Sequence, residues 1–268
     1  MPRIAPSILA MPWKSRVNQA LTKTVGYKVV RAGGRPSPAK PPKPDFPVDW
    51  DETARPILRA ARPYTMTREE KRYALYLATR YVTRHAIPGA IVECGVWRGG
   101  SMHVVARTLH AIGDTTRELY LFDTFEGMTP PTDKDITYGG KPVAELLESR
   151  PKTAKIWAVA SLEDVRQGFE SVPYPSERIH FVKGPVESTL PGEAPDEIAI
   201  LRLDTDWYES TRHELVTLYD RLASGGVLII DDYGSYQGSR QAVDEFIEAT
   251  GARLLLLPIG PGRIAVKP

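Results

Sequence analysis

Apolar residues recur along this chain in two periods, and segments with one period alternate with segments of the other. From about residue 66, short continuous apolar runs, typical of buried strands, are separated by segments with apolar residues every three or four positions, typical of helices. The predicted strands are AIVECGVW, LYLFDTF, RIHFVKG, IAILRLD, GVLIIDD, RLLLLPIG and GRIAVKP. The predicted helices are TMTREEKRYALYLATRYV, SMHVVARTLHAI, SLEDVRQGFES, ESTRHELVTLYDRL and QAVDEFIEAT. This order predicts an α/β protein with a doubly wound, mostly parallel sheet covered on both faces.

Three local signals refine this prediction. Thr67 followed by Glu70 has the spacing of a capping box, so the first helix should begin there. The Pro-Gly pair at 261–262 predicts a hairpin between the last two strands, which would add an antiparallel strand at one edge. Residues 128–160 show no clean period, and we expect a long loop or lid there with one short helix at AELLES.

Composition and charge narrow the class of protein. The chain has 268 residues, 42% of them hydrophobic, and a single cysteine, Cys94, which excludes an internal disulfide framework and a cysteine-rich zinc site. No apolar run approaches the roughly 20 residues that span a membrane, and no signal peptide is visible. We therefore expect a cytoplasmic protein without membrane insertion.

The basic residues are concentrated at the start of the chain. Residues 1–44 hold nine Lys and Arg and no acidic residue, whereas the remainder holds 26 basic and 33 acidic residues. This arm contains VNQALTKTVGYKVVRAG, read as a short amphipathic helix with a strand-like tail, and ends in the proline-rich RPSPAKPPKPDFP. Because no basic patch with interleaved aromatic residues continues into the body, we predict no nucleic-acid partner. The interpretations of the arm are a mobile extension, a contact to an anionic partner, an organelle-targeting peptide, or a short helix that folds over the active site.

Acidic residues stand at the carboxyl ends of four predicted strands. They are Glu93, Asp123, the pair Asp204 and Asp206, and the pair Asp231 and Asp232. In open α/β sheets the ligand binds beyond the carboxyl ends of the strands. The pattern therefore predicts that these residues form one site.

The glycine-rich turn ECGVWRGGS follows the first of these strands and opens a helix. It lacks the Gly-Lys-Ser/Thr of a P-loop, and its glycines at 95, 99 and 100 do not fit G-x-G-x-x-G. Glu93, just before the first glycine, suits a ligand with an ammonium group, such as the amino-acid end of S-adenosylmethionine. The alternative is a tight turn that binds nothing.

Two further segments fit a nucleoside. A carboxylate at the position of Asp123 accepts hydrogen bonds from two ribose hydroxyls in many such folds, although it can also cap a turn. Gly184 and Glu187, after the third strand, lie where an adenine could rest against the backbone.

Asp204, Asp231 and Asp232 are best explained by a divalent cation. Like charges that converge at buried strand ends need a compensating positive charge, or their pKa values must rise. Oxygen ligands favour Mg²⁺ or Ca²⁺ over zinc. The alternative for any one of them is a cap on the following segment.

Asp206 has a separate predicted role as the general base. Residues two apart in a strand point to the same face, so Asp204 and Asp206 could both reach the site. One carboxylate can bind metal while the other removes a proton from a substrate hydroxyl. No histidine, the usual base, occurs between His110 and His180.

With these residues in hand, the chain resembles the TylF/MycF/NovP-like family of bacterial sugar O-methyltransferases. The stretches that carry the resemblance run in order over about residues 62–248. They are TMTREEKRYALY, IPGAIVECGVWRGGS, LFDTFEGMTPPT, FVKGPVESTLP, LRLDTDWYEST and GGVLIIDDYG. One departure is Ser188, where the family pattern has Asp.

The resemblance implies a Rossmann-like class I methyltransferase fold, S-adenosylmethionine as methyl donor, Mg²⁺, and a hydroxyl of a deoxysugar or related glycoside as acceptor. Residues 51–268 would be the methyltransferase domain, with the lid at about 128–160. Residues 1–50 would be an arm that closes over the acceptor or contacts another subunit of a homo-oligomer. Tyr138 in the lid is an alternative base.

The resemblance also assigns roles to the site residues. The donor would be held by Thr67, Glu93, Gly95, Val96, Ser101 and Asp123, with Gly184 and Glu187 beside the adenine. Mg²⁺ would be bound by Asp204, Asp231 and Asp232, and Asp206 would be the base. The rival functions are a metal-assisted hydrolase, a methyltransferase with a phenolic or catechol-like acceptor, and a non-catalytic donor-binding protein.

Overall fold

The computed structural model describes residues 13–26 and 45–268 of the chain. The chain divides into two compact units, Met1–Val48 and Asp49–Pro268. In the first unit the described residues contain helix α1, Trp13–Val25, so the helix predicted in the arm is present. The strand-like tail predicted after it, at residues 27–33, lies outside the described residues.

Helices and strands alternate through the second unit. Its helices are α2 Ala54–Ala61, α3 Glu69–Arg84, α4 Gly100–Ala111, α5 Val143–Glu148, α6 Leu162–Phe169, α7 Val186–Thr189, α8 Tyr208–Leu218 and α9 Gln237–Thr250. Its strands are β1 Ala90–Cys94, β2 Leu119–Asp123, β3 Ile179–Lys183, β4 Ile198–Leu203, β5 Leu222–Ile230, β6 Leu257–Ile259 and β7 Gly262–Val266. Short 3₁₀ helices cover Arg62–Tyr64, Lys155–Trp157, Ser176–Arg178 and Tyr219–Arg221.

The seven strands form one sheet in the order β3-β2-β1-β4-β5-β7-β6. The first five are parallel, and β7 joins β5 in antiparallel register, with β6 antiparallel to β7 at the edge. The chain order reverses between β1 and β4, which is the switch point where ligands bind in such folds. The predicted doubly wound, mostly parallel sheet with an antiparallel edge is confirmed.

Apolar residues from both faces of the sheet form the core. On one face, Ile91 of β1 and Ile200 of β4 pack with residues of α3 and α4. On the other face, Val92 of β1 and Leu201 of β4 pack with residues of α8 and α9. Neighbouring residues of a strand point to opposite faces, so the continuous apolar runs in the sequence match a sheet buried on both sides.

The predicted start of α3 is wrong in detail. The helix begins at Glu69, its N-cap position is Arg68, and no side chain caps it. The hydroxyl of Thr67 instead accepts a hydrogen bond from Arg202 at 3.2 Å. A capping-box spacing reflects only the local sequence. Here the threonine hydroxyl binds a residue of a strand that is distant in the chain.

Other element ends also differ from the pattern. β5 begins at Leu222, four residues before the predicted GVLIIDD, and β6 covers only Leu257–Ile259 of the predicted RLLLLPIG. The hairpin between β6 and β7 is confirmed. None of the helices in the described ranges combines the length and apolar character needed to cross a membrane.

Residues 128–160 are mostly irregular and contain α5 and the 3₁₀ helix Lys155–Trp157. An isolated bridge pairs Thr137 with Tyr236, just before α9. The segment is thus bound to the body of the domain at this point.

Candidate active site

A cavity of about 510 Å³ opens at the carboxyl ends of the central strands. Most of the residues predicted for the site line it. These are Thr67, Gly95, Asp123, Gly184, Glu187, Asp204, Asp206, Asp231 and Asp232. Segment 128–160 contributes Met128, Thr129, Lys155, Ile156 and Ala158 to its wall. The structure therefore brings the acidic strand ends together, as the pattern of the sequence predicted.

The glycine-rich turn after β1 lies directly against the end of β4. Gly95 has φ +84°, and a Cβ there would lie 2.1 Å from the carbonyl oxygen of Asp204. Only glycine fits this approach, because any side chain would collide with backbone and strain its own conformation. The turn also includes Trp97 in a left-handed conformation, with φ 49°.

The carboxylate of Asp123 holds this turn. Its Oδ2 accepts hydrogen bonds from the backbone N–H groups of Val96 at 2.7 Å and Trp97 at 2.9 Å. Its Oδ1 accepts from Phe125 N–H at 2.7 Å. Asp123 therefore caps two turns, the alternative considered for it, and it also lines the cavity.

Arg202 connects three of the acidic strand ends. Its Nη1 donates to Glu93 at 2.6 Å and to Asp204 at 2.7 Å, and its Nη2 donates to Asp231 at 2.5 Å. The side chains of Arg202 and Glu93 are only 3% and 1% exposed. Burial raises the pKa of Glu93 to about 7, although the charge of Arg202 opposes that rise.

Lys71 supplies a second buried positive charge. Its ammonium group forms an ion pair with the Oδ2 of Asp231 and donates to the carbonyl oxygen of the same residue at 2.8 Å. Burial alone would raise the pKa of Asp231, but the charges of Arg202 and Lys71 outweigh it and lower that pKa. Both carboxylate oxygens of Asp231 are thus occupied by cations of the protein itself.

The remaining three aspartates form the acidic cluster. One carboxylate oxygen from each of Asp204, Asp206 and Asp232 lies within 4.8 Å of the others. Burial raises the pKa of Asp204 and of Asp232 well above the usual range, and raises that of Asp206 to about 7. The Oδ2 of Asp232 has no hydrogen-bond partner. A cation placed among these oxygens would supply the missing positive charge.

Asp206 reaches the cluster by a route that differs from the predicted one. β4 ends at Leu203, so Asp204 and Asp206 lie in the turn before α8 and do not share the face of a strand. Asp206 has φ 69°, a left-handed conformation that few residues other than glycine adopt. The prediction that the two residues share one face of a strand is therefore wrong, and the turn brings their side chains together.

Three predicted donor-binding residues are absent from the wall of the cavity. Glu93 and Ser101 are buried beside each other, where the Ser101 hydroxyl lowers the pKa of Glu93 in part. Val96 takes part through its backbone N–H to Asp123. The contact of these three residues with the donor stays a prediction.

The segment predicted to border the adenine follows β3. Glu187 lines the cavity and accepts a hydrogen bond from Ser210 at 2.6 Å. The Ser188 hydroxyl donates to the carbonyl of Pro185 at 2.9 Å.

Tyr138, the alternative base, is not among the lining residues of the cavity. Its hydroxyl donates to the carbonyl of Tyr233 at 3.3 Å. The structure thus gives no support to Tyr138 as the base.

Sequence reasoning missed Arg202 and Lys71, although both leave a signal. Arg202 is the one charged residue in the apolar run IAILRL, which becomes a strand buried along its whole length. Lys71 precedes Leu75, Ala78 and Val82 on the buried face of α3. A basic residue in a buried run, close to unexplained carboxylates, indicates an internal ion pair.

Comparison with known proteins decides the family. Residues 39–259 match the model of the macrocin O-methyltransferase (TylF) family. The chain belongs to this family. It is an O-methyltransferase, and both the predicted family and the predicted enzyme class are confirmed.

Relatives agree with this assignment. Over 198 residues the chain is 36% identical to the 8-demethyl-8-(2,3-dimethoxy-alpha-L-rhamnosyl)-tetracenomycin-C 4'-O-methyltransferase of Streptomyces olivaceus, covering 74% of this chain and 69% of that one. It is 30% identical over 168 residues to the mycinamicin III 3''-O-methyltransferase of Micromonospora griseorubida, covering 63% and 64%. The solved structure of the O-methyltransferase NovP superposes with a TM-score of 0.67 and 30% identity, covering 76% of this chain and 82% of that one.

Proposed function

We propose that this O-methyltransferase moves a methyl group from S-adenosylmethionine to a sugar hydroxyl of a small glycosylated molecule, with Mg²⁺ bound beside the acceptor. The observation that carries the proposal is the clustering of Asp204, Asp206 and Asp232 in one cavity with the glycine-rich turn and Asp123. In this proposal the nucleoside of the donor would lie beside Asp123, and the acceptor hydroxyl would lie beside the acidic cluster.

The donor would lie along the turn that follows β1. Asp123 lines the cavity, where its carboxylate would meet the ribose hydroxyls, and Gly184 and Glu187 line the same cavity. Thr67 lies on the side of the acidic cluster, held by Arg202. These contacts support a donor with a nucleoside and an amino-acid end.

The residues present fit a divalent cation. Carboxylate oxygens are the ligands that Mg²⁺ prefers, and Asp232 has one oxygen without a partner. Asp204 and Asp232 would hold the ion, while the predicted ligand Asp231 could join them only after Lys71 releases its carboxylate. Bound there, Mg²⁺ would polarise the acceptor hydroxyl and lower its pKa.

The methyl transfer itself would proceed as a direct displacement at the methyl carbon, with Asp206 as the base. The acceptor oxygen forms a bond to the methyl carbon, the carbon–sulfur bond of the donor breaks, and its electron pair stays on sulfur in S-adenosylhomocysteine. The hydroxyl proton would pass to Asp206, which lines the cavity within the acidic cluster and has no ion pair with a cation of the protein among the described residues. The cavity walls hold the oxygen in line with the methyl group, which supplies most of the acceleration.

A sugar acceptor is favoured by the relative from Streptomyces olivaceus, whose name describes a rhamnosyl group on a tetracenomycin. A phenolic or catechol-like acceptor in the same cavity is the alternative. The homo-oligomeric state and the cytoplasmic location remain predictions from the sequence.

The test is transfer from a deuterated-methyl donor to a panel of acceptors, read by mass spectrometry. The panel contains a rhamnosylated polyketide, the free sugar, its nucleotide-linked form and a catechol, each with Mg²⁺ or with a chelator. We expect transfer to a glycosylated acceptor that the chelator abolishes. Transfer to the catechol alone would contradict a sugar hydroxyl as the acceptor. Full turnover in the presence of the chelator would contradict the requirement for Mg²⁺.

The base is tested with Asp206→Asn. We expect turnover to fall by a factor of about 10² or more, while the affinity for S-adenosylhomocysteine, measured by calorimetry, stays within about threefold. Asp220→Asn, at an exposed aspartate outside the cavity, is the matched control. Near-normal turnover in Asp206→Asn would remove it as the base, and a protein that binds the product but methylates nothing would be a non-catalytic binding protein.

A further inference from the structure

Asp135 joins segment 128–160 to the turn that carries Asp204 and Asp206. Its side chain is buried, and the residue is only 1% exposed, which is unusual for an aspartate in an irregular segment. Both carboxylate oxygens are used. This residue had no predicted role.

One oxygen of Asp135 closes a loop within its own segment. Its Oδ2 accepts from the backbone N–H of Thr132 at 2.7 Å and from the Thr132 hydroxyl at 3.0 Å. In addition, the backbone carbonyl of Asp135 accepts from Val143 N–H at 2.9 Å, at the start of α5. The segment is therefore folded around this aspartate.

The other oxygen binds the first residue of α8. Oδ1 accepts from the backbone N–H of Tyr208 at 2.8 Å. The N-cap position of α8 is Trp207, which provides no side-chain cap of its own. The first N–H groups of a helix lack partners within the helix and attract negative charge, so a carboxylate 73 residues earlier in the chain supplies the cap.

A second contact links the same two segments. The indole Nε1 of Trp207 donates to the carbonyl of Thr129 at 3.0 Å, and Thr129 lines the cavity. Asp206 immediately precedes Trp207 and has a left-handed backbone that must be held by its surroundings. The contacts at Trp207 and Tyr208 are next to it in the chain.

Helix α9 leaves space for Asp135. A Cβ at Gly238 would lie 2.4 Å from the Oδ1 of Asp135, and 3.1 Å from both the carbonyl oxygen of Lys134 and the Cβ of Tyr208. The carboxylate thus lies where α8, α9 and segment 128–160 meet.

We propose that Asp135 is a positioning residue for methyl transfer: by capping α8 from segment 128–160, it holds the 204–207 turn and the carboxylate of Asp206 in place. The proposal rests on the proposed function for the reaction itself. Asp135 is not among the residues that line the cavity, so its loss should change the rate far more than donor binding.

The experiment compares Asp135→Ala, Asp135→Asn and Gly238→Ala with the control Asp133→Ala, an exposed aspartate of the same segment. We expect Asp135→Ala and Gly238→Ala each to lower kcat at least tenfold, with the affinity for S-adenosylhomocysteine within threefold of wild type. Asp135→Asn keeps an acceptor for Tyr208 and should retain more of the rate than Asp135→Ala. The control should stay within twofold.

The double variant Asp135→Ala/Gly238→Ala gives the sharpest comparison. Removing the carboxylate removes the 2.4 Å conflict at Gly238, so the double variant should be no slower than the slower single variant. The proposal would be overturned if the losses of kcat in the two single variants multiplied in the double variant. It would also be overturned if the kcat of Asp135→Ala stayed within twofold of wild type, or if Asp135→Ala lost kcat and affinity for S-adenosylhomocysteine equally.

One readout does not depend on methyl transfer. Binding of Mn²⁺ to the cluster of Asp204, Asp206 and Asp232, followed by electron paramagnetic resonance, should weaken at least fivefold in Asp135→Ala and stay unchanged in Asp133→Ala. If wild type transferred no methyl group, the proposed function would fail and this comparison would still decide the role of Asp135. Equal Mn²⁺ affinity in the two variants would overturn it.

Discussion

Arg202 binds Glu93 across two neighbouring strands, with 2.6 Å between Nη1 and Oε1. The two residues are direct partners in the parallel register of β4 and β1. The ion pair is buried beneath the cavity, and Arg202 also binds two of the aspartates that line it. Arg202, a charged residue in the middle of the sheet, thus joins three of the acidic strand ends through ion pairs.

Replacing Arg202 should destabilise the protein strongly. Arg202→Met leaves Glu93 and Asp204 without their cationic partner and leaves Asp231 with Lys71 alone, so we expect a loss of about 3–5 kcal/mol in the free energy of unfolding, measured with urea. Arg178→Met, which breaks a partly exposed pair with Glu118, is the control and should cost much less. Adding Glu93→Gln to Arg202→Met should recover part of the loss, and a cost below 1 kcal/mol for Arg202→Met would contradict this role.

Gly95→Ala should show how closely the glycine-rich turn approaches β4. The new Cβ would lie 2.1 Å from the Asp204 carbonyl oxygen, and φ is +84°, so we expect about 2–4 kcal/mol of destabilisation. Gly251→Ala also has a positive φ, +65°, but meets nothing within 4 Å and should cost only about 1 kcal/mol. Equal losses in the two variants, measured by chemical denaturation, would show that the close approach has no energetic weight.

Glu214 on α8 should make stability depend on pH. Its carboxyl group is buried with both oxygens unpartnered, and burial raises its pKa well above the usual 4.5. Above pH 4.5 the folded protein keeps a proton that the unfolded chain has lost, so this contribution to stability declines as pH rises. Relative to wild type, Glu214→Gln should gain about 1.4 kcal/mol for each pH unit in that window. Unfolding titrations from pH 5 to 8 that give a constant difference would contradict the prediction.

His103 should produce the opposite slope. Its ring lies 4.4 Å from the rings of both Tyr64 and Phe169, neither nitrogen has a hydrogen-bond partner, and burial, with the charge of Arg107, lowers its pKa from 6.5 to about 3. Between these values only the unfolded chain binds the proton, so stability falls as pH falls below 6.5. The difference in unfolding free energy between His103→Phe and wild type should therefore grow by about 1.4 kcal/mol per pH unit as pH drops from 6 to 4. A parallel pair of profiles would show that His103 does not titrate in this range.

The order of strands and helices could be predicted from the sequence, because burial on both faces produces continuous apolar runs and covering helices produce a period near 3.6. That order also predicted that the carboxyl ends of the parallel strands lie at one edge of the sheet. The convergence of Asp123, Asp204 and Asp232 could therefore be predicted as well. Element ends were less predictable. Thr67 has the spacing of a helix cap but binds Arg202, a residue 135 positions later.

The neutralisation of the site could not be predicted in the same way. Lys71 and Arg202 contact Asp231 only when α3 and β4 pack against the end of β5. The periodicity of the local sequence does not indicate this contact. Asp135 and Tyr208 are likewise 73 residues apart in the chain. Their contact depends on how segment 128–160 folds over α8.

The sequence by itself determined the α/β architecture, the family and the place of the site, because each depends on local periodicity or on short motifs. Only the tertiary structure decided which charges neutralise which carboxylates and why Asp206 reaches the cluster from a left-handed turn. These features depend on distances between residues far apart in the chain, and such distances exist only once the sheet and its covering helices are packed together.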